Sequence, residues 1–294
     1  GVASKSEIVV VKIGDSIGES YPKTTRIMEA LEYVLQVAIR ENKPIAINIS
    51  FGNNYGDHSG RNILEQYIDE VAMTWKNSIC VGTGNEGNER KHIGRNVLED
   101  NVENELLIGP SQGYISLQIW KNYKDNFNID IISPSGKRIS INKYINETAT
   151  YNIENTTIYV YYGQPNPLAT IQEINIIFYP NSRYLEEGIW KIEVSPVEVV
   201  DGRYDIWLGS NVILNSGTGF LQPTKYKTLT IPSTSYRVVT VGAYNGMTDS
   251  YALFSGVGSM EYVVITKPDI VAPGVNIIST AVGGGYISRT GTSM

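Results

Sequence analysis

The stretch Ser78-Ile79-Cys80-Val81-Gly82-Thr83-Gly84-Asn85-Glu86-Gly87-Asn88 decides the fold, because a short apolar run gives way at once to a glycine-rich loop. A run of this kind is typical of a strand that is covered on both faces. Two similar runs precede it, at residues 8–13 and 45–49. The intervals between the runs carry apolar residues at helical spacing, so the order strand, helix, strand, helix, strand predicts a parallel sheet with right-handed crossovers.

Each of the two predicted helices has a stripe of apolar residues three and four positions apart. The first helix should end before Pro44, and its stripe is formed by Ile27, Leu31, Val34, Leu35 and Ala38. The second helix should begin at Ser59, a residue type that caps helices. Its expected buried residues are Ile63, Leu64, Tyr67, Ile68, Val71, Ala72 and Trp75.

The pattern changes at about residue 102 and changes back at about residue 227. Between these points apolar and polar residues alternate, as in Ile115, Leu117 and Ile119, which predicts antiparallel strands. We therefore expect α/β architecture with an inserted all-β domain. Residues 1–101 and 228–294 would form the two parts of the α/β domain, and residues 102–227 a jelly roll or sandwich.

The insert contains three of the tryptophans, Trp120, Trp190 and Trp207. Their rings could pack in the core of a sandwich, which is the more common use of such side chains, or they could form a platform on which a carbohydrate stacks.

Composition excludes several classes of protein. The 294 residues carry 24 Lys and Arg against 30 Asp and Glu, a net charge of −6, with no basic run that would bind nucleic acid. No apolar stretch approaches the ~20 residues that a membrane span requires. The one cysteine, Cys80, excludes an internal disulfide framework and is expected to be a small buried residue. No signal peptide is visible at the start of the sequence.

Four short segments carry the chemistry, and each alone would be an ordinary turn or loop. They are, in order, Ile49-Ser50-Phe51-Gly52, Gly82-Thr83-Gly84-Asn85-Glu86-Gly87-Asn88, Lys267-Pro268-Asp269-Ile270-Val271-Ala272-Pro273-Gly274 and Gly291-Thr292-Ser293-Met294. Together and in this order they resemble the subtilisin-like (S8) serine proteases, as do residues 1–6, 236–243 and 254–258. The resemblance covers about residues 1–100 and 228–294 and implies a parallel sheet flanked by helices.

The resemblance assigns a role to each segment. Ser293 would be the nucleophile, and Asn85 would donate to the oxyanion, although an asparagine at this place could also simply cap a turn. Ser50, Phe51 and Gly52 would form one wall of the pocket for the substrate residue before the cleaved bond, and Gly82, Thr83 and Gly84 the other. Phe51 is bulkier than the leucine common in the family, so specificity does not carry over. Residues 267–274 would shape a tight turn beneath the nucleophile.

The family's triad runs Asp, His, Ser along the chain, so its first two members are expected before Gly1. The two histidines present, His58 and His92, do not stand in the family's motif and are expected in surface loops. The sequence therefore resembles an internal fragment of a protease, cut at both ends and inactive alone.

The position of the insert is similar to that in clostridial Csp-type proteases of spore germination, some of which have lost triad residues. The resemblance implies a protein or peptide substrate, a propeptide in the parent protein, and a secreted or spore-associated bacterial location. No cofactor is identified; calcium is possible, but no ligand set is readable. Alternative functions are a non-catalytic pseudoprotease with a binding or regulatory role, and carbohydrate binding through the insert.

Overall fold

The computed structural model describes residues 3–14, 23–141, 148–164, 170–210, 214–259 and 266–294. The chain divides into two compact units. The first comprises Gly1–Gly52, His58–Asn85 and Leu229–Met294, and the second comprises Asn53–Asp57 and Glu86–Thr228.

Two helices and eighteen strands form within the described residues. Their order is α1 (Thr24–Arg40), β1 (Ile45–Ile49), α2 (Ile63–Met73), β2 (Asn77–Gly82), β3 (His92–Asn96), β4 (Val102–Ile108), β5 (Ile115–Asn122), β6 (Asn126–Ile132), β7 (Arg138–Ile141), β8 (Thr148–Ile153), β9 (Thr156–Tyr162), β10 (Ile171–Pro180), β11 (Gly188–Glu198), β12 (Arg203–Leu208), β13 (Gly219–Phe220), β14 (Val239–Asn245), β15 (Ser250–Tyr251), β16 (Ile270–Pro273), β17 (Ile277–Thr280) and β18 (Tyr286–Arg289). The protein is therefore mostly β-structure.

The first unit is built on a parallel sheet. Strand β1 pairs with β2, β2 with β14 and β14 with β16, all in parallel, and β15 adds to β14 in the antiparallel direction. Ile49 lies beside Val81, and Gly82 lies beside Val241. The segments that follow β1 and β2 consequently leave the sheet at the same edge, where parallel sheets place their sites.

Helix α1 confirms the prediction made from its apolar stripe, because its buried residues are the five that the spacing indicated. Helix α2 begins later than expected. Its N-cap is Asn62, whose side chain accepts a hydrogen bond from the backbone N–H of Glu65, while the Glu65 carboxylate accepts from the N–H of Asn62. The prediction of Ser59 as the cap was wrong, because this reciprocal capping box satisfies two N-terminal donors together.

The predicted strand at residues 8–13 is absent, since this segment pairs with no strand among the described residues. Ile8 and Val10 are 84% and 82% exposed, whereas Val11 and Ile13 pack against the core that α1, α2, β1 and β2 share. The β-branched run therefore has the side-chain composition of a strand, but composition does not determine whether another strand is available to pair with it.

The second unit consists of two antiparallel sheets with the strand orders β3-β12-β5-β10-β9-β8 and β13-β4-β11-β6-β7. Alternate residues of both sheets point into one shared hydrophobic core. Strand β5 contains the alternating residues Ile115, Leu117 and Ile119 from which antiparallel strands were predicted, and all three side chains are buried.

Two of the three tryptophans in this unit are buried. Trp190 is fully buried, makes an edge contact with Phe178 and donates its Nε1–H to the carbonyl of Glu186 at 3.0 Å. Trp207 is 2% exposed, and only Trp120 is partly exposed. The rings of Trp190 and Trp207 therefore pack inside the protein and do not present a stacking surface.

Candidate active site

Segments from three distant parts of the first unit meet at the carboxyl edge of the parallel sheet. Ser50 follows β1, Thr83 follows β2, and residues 291–294 follow β18. The Ser50 hydroxyl donates to the main-chain carbonyl of Ser293 at 3.3 Å and accepts from the Asn48 side-chain amide at 2.8 Å. The structure thus places Ser293, which is exposed, beside the end of β1.

Asn85 is held by Thr292. The backbone N–H of Thr292 donates to Asn85 Oδ1 at 2.9 Å, and the Thr292 hydroxyl donates to the same oxygen at 3.3 Å. That hydroxyl also accepts from the N–H of Gly84 at 3.1 Å. Two donors on the carbonyl oxygen fix the amide orientation, so the NH₂ group is on the side of the Asn85 amide away from these donors.

The approach of Thr292 to β2 requires glycine at position 82. A Cβ atom there would lie 2.7 Å from the main-chain oxygen of Thr292, closer than such atoms can approach. A side chain at this position would therefore push the segment containing Ser293 away from the sheet.

Gly52 and Thr83 lie on either side of Thr230, a residue that the sequence analysis did not identify. A Cβ atom on Gly52 would lie 2.7 Å from the Cβ of Thr230, and the N–H of Thr230 donates to the carbonyl of Thr83 at 3.0 Å. Phe51 packs against the core of the first unit. Thr230 follows directly on the all-β segment in sequence, and no local pattern indicates its position.

Residues 267–274 do not form the predicted turn, because half of them, Ile270–Pro273, belong to strand β16 and pair with β14. Lys267 is buried and donates its ammonium group to the carbonyl of Val238 and to Asp269. Gly274 accepts from the N–H of Gly291 at 2.9 Å. The end of this segment is therefore tied by a main-chain hydrogen bond to Gly291, two residues before Ser293.

A cavity of about 230 Å³ lies between the sheet and residues 291–294. Cys80 lines it together with small residues such as Gly242 and Ala272. Cys80 is a free thiol and partly exposed, so the expectation of a buried cysteine was wrong.

The histidines are engaged elsewhere. The Nδ1 of His58 lies 2.7 Å from the carbonyl of Leu229, and since a carbonyl only accepts, this nitrogen carries a proton. His92 is not in a surface loop as predicted: it lies on β3, is 2% exposed and stacks on Trp207. The residues before His92 are polar, so the sequence did not indicate a strand here. The pairing of this strand with β12 places Trp207 against the His92 ring.

The two ring nitrogens of His92 both face acceptors. Nδ1 lies 2.9 Å from the carbonyl of Tyr226, and Nε2 lies 2.8 Å from Asp205. Burial raises the pKa of Asp205, but the hydrogen bond and charge of His92 and the charge of Lys227, 3.1 Å away, outweigh burial and hold that pKa below its usual value. This pair is a structural element of the second unit.

The described residues lack two further kinds of feature. They contain no helix long and apolar enough to cross a membrane. They also contain no group of three or more His, Cys, Asp or Glu residues placed to hold a metal ion.

Comparison with known proteins identifies a protein family and a similar solved structure. The family model described as the subtilase family matches residues 210–294. The solved structure of the Clostridium perfringens CspB protease is 34% identical, with a TM-score of 0.92, and the match covers 100% of this chain and 61% of that one. The chain thus spans about three fifths of the length of that protease. Among curated protein sequences, none matches.

Proposed function

This chain belongs to the subtilase family, and on that premise we propose that it is the part of a serine endopeptidase that carries the nucleophile, Ser293, and the oxyanion donor, Asn85. The observation that supports the proposal most directly is the pair of hydrogen bonds from Thr292 to Asn85 Oδ1. They orient the amide next to an exposed serine, as transition-state stabilisation requires.

In the proposed reaction the Ser293 hydroxyl attacks the peptide carbonyl and gives its proton to a histidine base. The Asn85 NH₂ group donates to the oxygen on which negative charge develops. In a subtilisin, loss of the corresponding asparagine donor lowers kcat by about 10²–10³-fold. We expect a loss of the same order for Asn85.

We propose that the catalytic Asp and His lie in the part of the subtilase outside these 294 residues. His92 has both nitrogens engaged by Tyr226 and Asp205, and the Nδ1 of His58 is engaged by Leu229. A serine without a positioned base is a poor nucleophile at neutral pH, so the 294 residues alone should be inactive.

The substrate would be an extended protein or peptide. Ser50, Phe51 and Gly52 would line one side of the pocket for the residue before the cleaved bond, and Gly82, Thr83 and Gly84 the other, with main-chain groups pairing to the peptide by strand addition. The similarity to CspB favours a bacterial protease that is secreted or spore-associated, with a role in spore germination and a propeptide of its own.

We also propose that helices cover both faces of the parallel sheet, and that the two antiparallel sheets of the second unit form a jelly roll. The two helices in the described part of the chain and the common core of the two sheets support these assignments.

A non-catalytic pseudoprotease is the second candidate. Labelling the full-length protein with a fluorophosphonate separates the two. Enzyme activity predicts stoichiometric modification at Ser293, located by mass spectrometry and abolished in Ser293→Ala. A pseudoprotease would show no modification in the full-length protein, and this result would overturn the proposal.

A further inference from the structure

The segment Gly82–Asn85 presents the proposed oxyanion donor, so the groups that hold it determine where the donor lies. Thr83 is fully buried, and Ser255 is 2% exposed. Their hydroxyl oxygens are 3.1 Å apart, although the two residues are 172 positions apart in the chain.

Ser255 is the partner that satisfies the Thr83 side chain. The Ser255 hydroxyl oxygen accepts from the backbone N–H of Ala243 at 2.9 Å, which attaches this side chain to β14. The same hydroxyl forms its second hydrogen bond with the Thr83 hydroxyl. In the described residues the Thr83 hydroxyl has no other hydrogen bond. Removing the Ser255 oxygen would therefore leave a fully buried hydroxyl without a partner, which is the costly way to lose a hydrogen bond.

The neighbouring residue reinforces this attachment. The N–H of Gly256 donates to the carbonyl of Gly84 at 3.1 Å, so two successive residues hold Thr83 and Gly84, directly before Asn85. The holding segment is itself fixed, because the N–H of Ser255 donates to Ala252 and its carbonyl accepts from the Tyr251 hydroxyl.

We propose that Ser255 is a positioning residue for the oxyanion donor: it acts through Thr83 to place Asn85, and it touches neither substrate nor reacting atoms. The proposal rests on the proposed function, since the donor matters for catalysis only if Asn85 stabilises an oxyanion. Donors of this kind work because they are placed before the reaction, and small displacements are costly.

The first experiment compares Ser255→Ala, Thr83→Val and the double variant in the full-length protein. We expect each single variant to lower kcat about tenfold while KM changes less than about twofold, because the loss falls on the transition state. The double variant should be no slower than Ser255→Ala, since Ser255→Ala already removes the one hydrogen bond that Thr83→Val removes, besides the acceptor of the Ala243 N–H. Thr83→Ser keeps the hydroxyl and should have a higher kcat than Thr83→Val.

Thr240→Val is the matched control. The Thr240 hydroxyl is equally buried, lies on β14 and donates to the carbonyl of Ser233 at 2.7 Å, not to the segment before Asn85. A thermal melt of every variant confirms that it is folded. An equal loss of kcat in Thr240→Val would show that any buried hydroxyl of this sheet has the same effect, and would overturn the proposal.

The second experiment does not depend on proteolysis. The side-chain NH₂ resonance of Asn85 is identified in a ¹⁵N spectrum of the 294-residue chain by its loss in Asn85→Ala. Ser255→Ala should shift or broaden it, and Thr240→Val should not. An unmoved resonance overturns the positioning role, whereas a moved resonance with no hydrolysis by the full-length wild type would overturn the proposed function alone.

Discussion

The backbone N–H of Thr292 lies 2.9 Å from Oδ1 of Asn85, and 207 residues of chain separate the two. Neither segment could form this contact alone, because one ends β2 and the other follows the β17–β18 hairpin. The parallel pairing of β2 with β14 and of β14 with β16 brings them to the same edge of the first unit. The proposed oxyanion site is therefore a product of the sheet topology.

If the proposed function is correct, replacing Asn85 by alanine in the full-length protein should lower kcat by about 10²–10³-fold, the magnitude measured for a subtilisin, with little change in KM. The lost hydrogen bond belongs to the transition state, so substrate affinity is preserved. Steady-state kinetics on a peptide substrate give both constants. Asn128→Ala, at an exposed position on β6, is the control and should match the wild type. A variant in which only KM rises would assign Asn85 to substrate binding.

The capping box of α2 predicts a difference between two substitutions at one position. Asn62→Ala should lower the free energy of unfolding by about 1 kcal/mol, because the N–H of Glu65 loses its acceptor. Asn62→Asp keeps a side-chain oxygen at the cap and should stay close to the wild type. Chemical denaturation of the chain measures both. Equal losses in the two variants would show that the cap hydrogen bond is not what stabilises this helix end.

The environment of Asp205 predicts an acid-sensitive contribution to stability. Its pKa is lowered in the folded protein, so the stabilisation is present above the unfolded-state pKa and is lost as pH falls through the folded-state value. Asp205→Asn should cost about 1–3 kcal/mol at pH 7, because His92 and Lys227 lose a charged partner. The difference from the wild type should shrink as pH is lowered.

Denaturant titrations between pH 7 and pH 3 follow this difference. The control is Asp100→Asn, at an exposed position. Its unfolding free energy should follow that of the wild type. A constant difference for Asp205→Asn across the pH range would show that the carboxylate charge does not contribute.

Features that depend on neighbouring residues in sequence could be predicted, and features that depend on distant partners could not. The stripe of α1 and the alternation of Ile115, Leu117 and Ile119 in β5 are local periodicities, and both gave the correct residues. The run at residues 8–13 has the same local appearance as β1 but forms no strand. His92 looked exposed because its burial comes from Trp207 across the sheet.

The candidate site divides in the same way. The motifs containing Ser50, Asn85 and Ser293 could be located, and the structure brings them to one edge of the sheet. Thr230 and Ser255 could not be found, because each is an ordinary hydroxyl residue whose position depends on Thr83, more than 140 residues away. Sequence motifs therefore identify the residues proposed to act on the substrate more readily than the residues that position them.

The all-β segment should fold alone, and its boundaries can be tested at the same time. The change of pattern in the sequence predicts residues 102–227, whereas the second compact unit also takes in residues 86–101 and with them β3. Strand β3 pairs with β12 and carries His92, which hydrogen-bonds to Asp205. A segment that begins at residue 102 leaves that edge of the six-stranded sheet, and the Asp205 carboxylate, without their partners.

Both segments, 86–228 and 102–227, should be expressed and compared by circular dichroism and thermal melting. We expect a strand-type spectrum and a cooperative transition from 86–228, because its core is drawn from its own two sheets. Segment 102–227 should melt at a lower temperature. His92→Gln in the longer segment should reproduce part of that loss, since it removes the imidazole ring that hydrogen-bonds to Asp205 and stacks on Trp207, and keeps the strand. A disordered or strongly helical spectrum from 86–228 would mean that its strands depend on the parallel sheet, and that the two units form one domain.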